Sequence, residues 1–162
     1  MDQNLKSYLQ NHKIDHAIHN HPAVFTVEES KKIDAEIPGV LHTKNLLLKD
    51  AKNNFYLVCM YAHQRLNLKL LKEKSNANKK LTFASPGELK AHLNISPGSV
   101  SIFNMIYAKN VQLIIDKKVW SADRTGFHPN INTATLELAH KDLEKFCDSI
   151  HSKKQIIDLE NE

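Results

Sequence analysis

The sequence predicts a single α+β domain over residues 1–162. The chain has the length of one ordinary domain, and 41% of its residues are apolar, which is enough to form a core. Helix-like and strand-like segments follow one another without the regular βαβ rhythm of a doubly wound parallel sheet. No internal repeat, low-complexity segment or linker interrupts them.

Hydrophobic periodicity predicts the individual elements. Apolar residues recur at helical spacing in some segments, and they alternate or run continuously in others. The predicted helices cover residues 2–12, 26–35, 66–74, 85–93 and 142–151. The predicted strands cover residues 14–19, 43–49, 54–61, 81–83, 111–115 and 133–138.

Local signals place the start of several elements. Thr26 stands three residues before Glu29, which is the spacing of a capping box at a helix start. Ser85 is followed by proline and then by Glu88 at the third helical position, which predicts a second helix start. A polar stretch at residues 49–54 predicts a hairpin between two strands.

The composition predicts a soluble cytoplasmic protein. The formal net charge is +4 and the pI is about 9.0, a mildly basic balance that fits a nucleic-acid partner without requiring one. Cys59 and Cys147 have no CxxC partner and are expected to be free thiols in a reducing compartment. The first ten residues lack a secretory signal pattern, and no apolar stretch approaches the roughly 18 residues that span a membrane.

Common catalytic signatures are absent from the sequence. It has no GxSxG elbow and no Walker A loop, and four glycines are too few for a glycine-rich phosphate-binding loop. In a strand, His19 and His21 would share one face and His16 would lie on the other, and no HExxH pattern or cysteine pair accompanies them. We therefore expect no metal and no cofactor. Cys59, inside an apolar strand, is expected to be inert.

Three segments together resemble one protein family. They are HPAVFTVEE at residues 21–29, HTKNLLLKD at 42–50 and GFHPNINTAT at 126–135, with the turn SPGSVS at 96–101 between the last two. In this order and spacing the chain resembles the YbaK/ProX family, whose members are free-standing relatives of the editing domain inserted in bacterial prolyl-tRNA synthetase. The resemblance covers about residues 5–150. It is strongest to the ProX/PrdX branch, which hydrolyses alanyl-tRNA(Pro).

The resemblance implies a fold and a reaction. The fold would be a curved, mixed, barrel-like β-sheet surrounded by helices. The reaction would be hydrolysis of the ester between alanine and the terminal ribose of tRNA. A positioned water would be assisted by the ribose 2′-hydroxyl, so no strong nucleophile is required. The expected partners are aminoacyl-tRNA, in particular that of tRNA(Pro), and prolyl-tRNA synthetase; no membrane is expected.

The catalytic residues implied by the resemblance are Lys44, Gly126 and His128. The Lys44 ammonium would contact the terminal adenosine and keep the ester in register. Residues 126–129 are predicted to form a loop that lines the ester, where Gly126 permits close approach of backbone to ligand. His128 would hydrogen-bond the carbonyl or the adenosine and would not be the base. Asn45 would offer an amide to the substrate. In a regular strand it points away from Lys44, so we expect both to precede the ladder or to sit at a bulge.

The resemblance also implies a small apolar pocket for the amino-acid side chain. Its walls would include Pro22, Val24, Phe25 and Phe127, and Pro129 would stiffen the adjoining loop. Size alone separates close relatives by only about 1–3 kcal/mol per methylene, so the tRNA would also contribute to specificity. The basic residues expected to meet its phosphates are Lys69, Lys72, Lys74, Lys79 and Lys80.

The sequence departs from the family pattern after the turn at 96–101. Residues 102–104 read Ile-Phe-Asn where the family has proline, phenylalanine and a small residue, so the pocket wall near 102–108 is expected to differ. Two alternatives stay open: a deacylase for cysteinyl- or seryl-tRNA, and a non-catalytic module that binds tRNA or a synthetase. The presence of both Lys44 and the 126–129 segment favours an enzyme.

Overall fold

The computed structural model describes residues 1–160 and has the predicted α+β class. The helices are α1 (Gln3–Asn11), α2 (Val27–Glu36), α3 (Leu68–Ser75), α4 (Pro86–Leu93), α5 (Lys117–Trp120) and α6 (His140–Ser149), with a 3₁₀ helix at Ile102–Tyr107. The strands are β1 (Ala17–Asn20), β2 (Leu41–Lys49), β3 (Phe55–Tyr61), β4 (Thr82–Phe83), β5 (Val111–Asp116), β6 (Arg124–Phe127), β7 (Ala134–Ala139) and β8 (Lys154–Ile157).

Across residues 1–160, eight strands form one mixed sheet. The strand order is β1-β7-β6-β2-β3-β5-β8, and β4 pairs with β2 beside this path. The pairs β1–β7, β6–β7, β2–β3 and β2–β4 are antiparallel, whereas β2–β6, β3–β5 and β5–β8 are parallel. The predicted mixed sheet is confirmed, with helices around it. It ends at β1 and β8 and does not close into a complete barrel.

A split opens along one edge of β2. β6 pairs only with Leu41 and His42 at the start of this strand, and β4 pairs only with Leu48 and Lys49 at its end. Residues 43–46 lie between these two short pairings and have no partner strand on that edge. On the opposite edge of β2, every one of these residues pairs with β3. The edge of β2 therefore borders an opening in the sheet.

Apolar side chains fill both faces of the sheet. The larger core contains the rings of Phe103, Phe127 and Phe146, which meet edge to face with centroids 5.4 and 5.1 Å apart. A smaller core beneath α3 includes Leu48 and Leu71, both fully buried. Buried aromatic rings contribute large apolar areas and prefer defined packing geometries, so these cores stabilise β2 and β6 beside the split.

The predicted helices and strands all occur within three residues of their expected bounds. The predicted loop at residues 126–129 is wrong for its first half, because Gly126 and Phe127 belong to β6 and pair with β7. The sequence did not predict α5, β8 or the 3₁₀ helix. In the four residues of β8 only Ile157 is buried, so no local pattern indicates a strand.

Candidate active site

A continuous cleft lies over the split in the sheet. Its centre is bordered by Ser30 of α2, Thr43 of β2, Ala62 after β3 and His128 after β6. From this centre the cleft extends into a small recess beneath α2, an apolar recess toward α4 and a basic recess toward the segment after β3. Each recess takes residues from elements far apart in the sequence.

The small recess has a volume of about 50 Å³, enough for only a few non-hydrogen atoms. Besides the central residues, the side chains and backbone that line it come from α2, β2, β6, β7 and the segment before α2. They are His21, Val24, Ile33, Asp34, His42, Gly126, Phe127 and Thr135.

Gly126 lies where β6 packs closely against its neighbours. A Cβ atom at this position would be 3.0 Å from Val40 Cγ1 and 3.0 Å from Thr135 Cγ2, and 3.3 Å from His42 Nδ1. The Thr43 hydroxyl donates a hydrogen bond of 2.8 Å to the Gly126 carbonyl. Glycine is therefore favoured here by close packing against Val40, Thr135 and His42, of which Thr135 and His42 also line the small recess, and not by a left-handed backbone conformation.

His128 is a partly buried imidazole between the small recess and the apolar recess. Burial lowers its pKa below the usual range, which favours the neutral ring. Its Nδ1 lies 3.3 Å from the carbonyl oxygen of Ala134, which can only accept a hydrogen bond. The proton of the neutral ring is therefore on Nδ1, and Nε2 is left as an acceptor.

Asp34 holds α2 against the sheet. One carboxylate oxygen lies 3.2 Å from His42 Nδ1 and the other 2.6 Å from His63 Nε2. The helix itself has no fully buried side chain, so these two contacts are important for its position. Within residues 1–160, no group of three or more His, Cys, Asp and Glu side chains has a geometry that could hold a metal ion.

The apolar recess has a volume of about 400 Å³ and runs along the open edge of β2. One wall is the strand itself, from Thr43 to Leu47. The opposite wall comes from β4, α4 and the turn at residues 97–100. Its residues are Phe83, Ala84, Leu89, Pro97, Gly98 and Val100.

Lys44 and Asn45 both border this recess and lack protein partners. Within residues 1–160, Lys44 has no acidic partner, and partial burial lowers the pKa of its ammonium. The Asn45 Oδ1 atom is buried without a hydrogen-bond partner in the part of the chain that the structure describes. An unpaired buried polar group costs about 1–3 kcal/mol, and a ligand that hydrogen-bonds to Asn45 Oδ1 would remove this cost.

The expectation that Lys44 and Asn45 precede the ladder or sit at a bulge is wrong. Lys44 pairs with Met60 and Asn45 with Cys59 in an unbroken antiparallel register. Their side chains therefore alternate across the sheet. Both still reach the same recess, because the recess lies along the strand edge and not on one face of the sheet.

The main chain of Asn45 also points into the split. The Ala62 N–H donates to the His42 carbonyl at 2.9 Å, so the even-numbered residues of β2 hydrogen-bond toward β3. The odd-numbered residues point the other way, as the 2.9 Å bond from the Ala84 N–H to the Leu47 carbonyl shows. The N–H and carbonyl of Asn45 thus face the open edge, where no strand of residues 1–160 pairs with them.

The other residues expected in the pocket are distributed more widely. Val24 and Phe127 line the small recess, and Phe127 is only 1% exposed because it also belongs to the core. Pro22 lies outside it, in a neighbouring hollow that shares Val24 and Ile33 with the small recess. Phe25 is 82% exposed and lines none of these surfaces. Pro129 is buried just after β6.

Ser30 and Thr43 are among the site residues that the sequence did not identify. Ser30 borders all the recesses, and it faces the cleft only because α2 crosses the split. No local sequence signal identifies it. Thr43 directly precedes Lys44 in one of the resembling segments, so its position there was a usable signal.

The segment that departs from the family pattern supports the site from behind. Asn104 is fully buried, accepts a 2.7 Å hydrogen bond from the Ser101 N–H, and donates one of 2.7 Å to Asn130 Oδ1. It thereby links the 3₁₀ helix to the loop that follows His128. Residues 102–108 line none of the recesses, so the expected change in the pocket wall is not found there.

Neither cysteine lines the three recesses of the cleft. Cys59 and Cys147 are buried free thiols. Burial raises the pKa of Cys59 far above its usual range and that of Cys147 to about 12. A thiol that stays protonated is a poor nucleophile, which agrees with the expectation that Cys59 is inert.

Comparison with known proteins identifies the family. A family model described as an aminoacyl-tRNA editing domain matches residues 21–146, which include every residue of the cleft named above. The chain belongs to the aminoacyl-tRNA editing domain family. This membership confirms the resemblance to the YbaK/ProX family and the prediction of an aminoacyl-tRNA deacylase.

Individual members of the editing-domain family match nearly the whole chain. The prolyl-tRNA editing protein ProX of Acetoanaerobium sticklandii is 35% identical over 150 residues, covering 91% of this chain and 90% of that protein. The prolyl-tRNA synthetase associated domain-containing protein 1 of Xenopus laevis is 31% identical over 149 residues, covering 89% and 88%.

A solved structure shares the fold of this editing domain. A candidate trans-editing enzyme for prolyl tRNA synthetase superposes with a TM-score of 0.76 at 15% identity, covering 100% of this chain and 99% of that one. At this identity the match shows a common fold. Among residues 1–160, no helix is both long and apolar enough to cross a membrane.

Proposed function

We propose that this protein hydrolyses alanyl-tRNA(Pro), releasing alanine from tRNA that prolyl-tRNA synthetase has mischarged. The observation that carries the proposal is that two polar groups without a partner in residues 1–160, the Lys44 ammonium and Asn45 Oδ1, belong to residues that border the apolar recess, next to the small recess. The synthetase is the partner expected to supply the substrate.

The small recess would take the amino-acid side chain. It is the smallest of the three recesses, at about 50 Å³, and would admit the methyl group of alanine more readily than the ring of proline. Val24, Ile33 and Phe127 supply apolar walls. A steric limit of this kind protects correctly charged prolyl-tRNA, because a substrate that is too large must displace packed side chains.

The apolar recess would take the terminal adenosine. Its volume of about 400 Å³ is large enough for a nucleoside, and Phe83 beside it is 57% exposed. An exposed aromatic ring can stack on a base, an interaction worth about 1–3 kcal/mol. With the base there, the ribose would lie near Lys44, and the ester would lie over the centre of the cleft.

The chemistry would need no protein nucleophile. Water would add to the ester carbon, its proton would pass by way of the ribose 2′-hydroxyl to the 3′-oxygen, and the acyl–oxygen bond would break to give alanine and free tRNA. The Lys44 ammonium and the Asn45 main-chain N–H would stabilise the oxyanion. The acceptor Nε2 of His128 would orient the 2′-hydroxyl or the water.

The decisive experiment measures deacylation of alanyl-, cysteinyl-, seryl- and prolyl-tRNA(Pro), with Lys44→Ala and Lys32→Ala in parallel. Lys32 is the matched control because it is exposed and lines none of the three recesses. We expect selective release of alanine, a fall of about 10²–10³-fold in kcat for Lys44→Ala, and no change for Lys32→Ala.

Other outcomes would decide between the alternatives. Preferred release of cysteine or serine would keep the mechanism and contradict the alanine assignment. Binding of tRNA without release of any amino acid would contradict the enzyme and favour a non-catalytic module. Denaturant unfolding of Lys44→Ala, expected to match the wild type, ensures that lost activity is not lost folding.

A further inference from the structure

A second arm of the cleft is basic and is not used by the amino acid or the adenosine. This basic recess has a volume of about 370 Å³ and lies between the N-terminal half of α2 and the segment that follows β3. It shares Lys44 with the apolar recess. Its lining consists of Val27, Ser30, Lys31, Lys44, Ala62, His63, Gln64 and Arg65.

The charges around the basic recess are not balanced. Lys31, Lys44 and Arg65 all line it, and none of them has an ion-pair partner within residues 1–160. No Asp or Glu is among its lining residues. The carboxylate of Asp34, on the same helix, already binds His63 at 2.6 Å.

We propose that the basic recess binds the phosphodiester that joins the last two nucleotides of the tRNA. The inference rests on the proposed function, because it takes the terminal adenosine to lie in the apolar recess with its ribose at Lys44. The chain must then leave the ribose on its 5′ side, and the recess that continues from Lys44 is the basic one.

The residue types suit a phosphodiester. Arg65 presents a planar fork of donors that matches two phosphate oxygens, and Lys31 supplies a mobile point charge. Both residues are exposed, so a bound phosphate would release counterions at little desolvation cost. Lys31 and Arg65 would thus help to bind the tRNA and to position its terminal nucleotide, and they would take no part in bond cleavage.

Neighbouring residues of α2 provide a matched control. Lys31 faces the basic recess, whereas Lys32 faces a hollow that also contains Glu29 and Glu36. Lys31→Ala and Lys32→Ala remove the same charge from the same helix. The change in net charge is the same in both proteins, so an effect of net charge alone would appear in both, and a phosphate site would change only the first.

The test measures KM and kcat for the hydrolysis of three substrates. The proteins are the wild type, Lys31→Ala, Arg65→Ala, the double variant of these two, and Lys32→Ala. The substrates are 3′-alanyl-adenosine without phosphate, the alanyl ester of the dinucleotide cytidylyl-adenosine with one phosphodiester, and alanyl-tRNA(Pro). We expect the double variant to raise KM about tenfold for the last two substrates, with kcat within about twofold and alanyl-adenosine unaffected. The slope of log KM against log salt concentration should fall by about 0.7 for each phosphate-binding side chain that is removed.

The outcomes separate this inference from the proposed function. If the wild type hydrolyses none of the aminoacyl esters, the proposed function fails. If the wild type is active and the double variant matches Lys32→Ala on every substrate, the basic recess binds no phosphate. If the double variant raises KM for alanyl-tRNA(Pro) but not for the dinucleotide ester, the basic recess binds another phosphate of the tRNA, and the assignment to the last phosphodiester is overturned.

Discussion

Replacing Gly126 by alanine tests how closely β6 must pack for the small recess to form. The added Cβ would lie 3.0 Å from both Val40 Cγ1 and Thr135 Cγ2, tighter than ordinary van der Waals contact. These atoms belong to β-branched side chains with stiff rotamers, so the backbone must move to relieve the contact. Overpacking of this kind costs about 1–3 kcal/mol.

The net effect can be worked out from two opposing terms. Removing a glycine also restricts the unfolded chain, which stabilises the protein by about 0.4–1 kcal/mol. We therefore expect Gly126→Ala to lower the free energy of unfolding by about 1–2 kcal/mol and Tm by about 3–6 °C. Because Thr135 and His42 line the small recess, kcat/KM for alanyl-tRNA should fall about tenfold.

Gly87→Ala is the matched control. A Cβ at Gly87 in α4 would meet only Ser85 Oγ, at 3.8 Å, so it should leave activity unchanged and raise stability by up to about 1 kcal/mol. Thermal unfolding and deacylation are measured for both variants, and for Gly126→Ala combined with Val40→Ala and Thr135→Ser. The combination removes the two contacting methyl groups and should recover part of the lost activity. A Gly126→Ala protein as stable and active as Gly87→Ala would refute the packing argument.

Three further predictions concern single polar groups. Asn45→Leu removes an unpaired buried acceptor, so the free energy of unfolding should rise by about 1 kcal/mol. Deacylation should fall at least tenfold, because the substrate loses the side-chain amide that Asn45 would offer while the main-chain N–H is retained; lower stability by denaturant titration would show that the amide has a protein partner. Burial alone would raise the pKa of Asp50, but hydrogen bonds, first of all from Asn54, lower it from 3.8 to about 2. Its ionised form therefore stabilises the fold above pH 3.8, and Asp50→Asn should cost about 2 kcal/mol at pH 7, a difference that must shrink as pH falls toward 2. Because burial lowers the pKa of His128 below 6.5, kcat should stay constant as pH falls through 6.5 and decline only below it, and a decline centred above 6.5 would contradict a neutral ring.

Local sequence signals were reliable where the interactions are themselves local. The predicted caps occur as hydrogen bonds of 3.1 Å, from the Glu29 N–H to Thr26 and from the Glu88 N–H to Ser85. The hairpin of β2 and β3 pairs in the predicted antiparallel manner. Such features depend on residues three to twenty positions apart, which short-range periodicity and capping chemistry describe well.

The strands that depend on distant partners were harder to predict. β6 has four residues, and its place in the sheet is set by pairing with β7 and with two residues of β2 more than eighty positions earlier. The same pairing brings Gly126 and His128 beside Thr43 and Lys44. Nothing in the spacing of these residues reveals that contact, so the sequence reached it only through the family resemblance.

The sequence by itself determined the class of the fold and the family. It also determined the chemical character of the site, which has Lys44 and Asn45 before an apolar run, Gly126 and His128 in the segment at 126–135, and no nucleophile. Only the tertiary structure decided how Lys44 and Asn45 act together. They alternate across a regular ladder, as strand geometry requires, yet they share a cleft because β6 and β4 cover opposite ends of β2 and leave its edge open between them. Which stretch of a strand edge stays unpaired depends on the summed packing of the whole sheet, and no short segment of sequence contains that information.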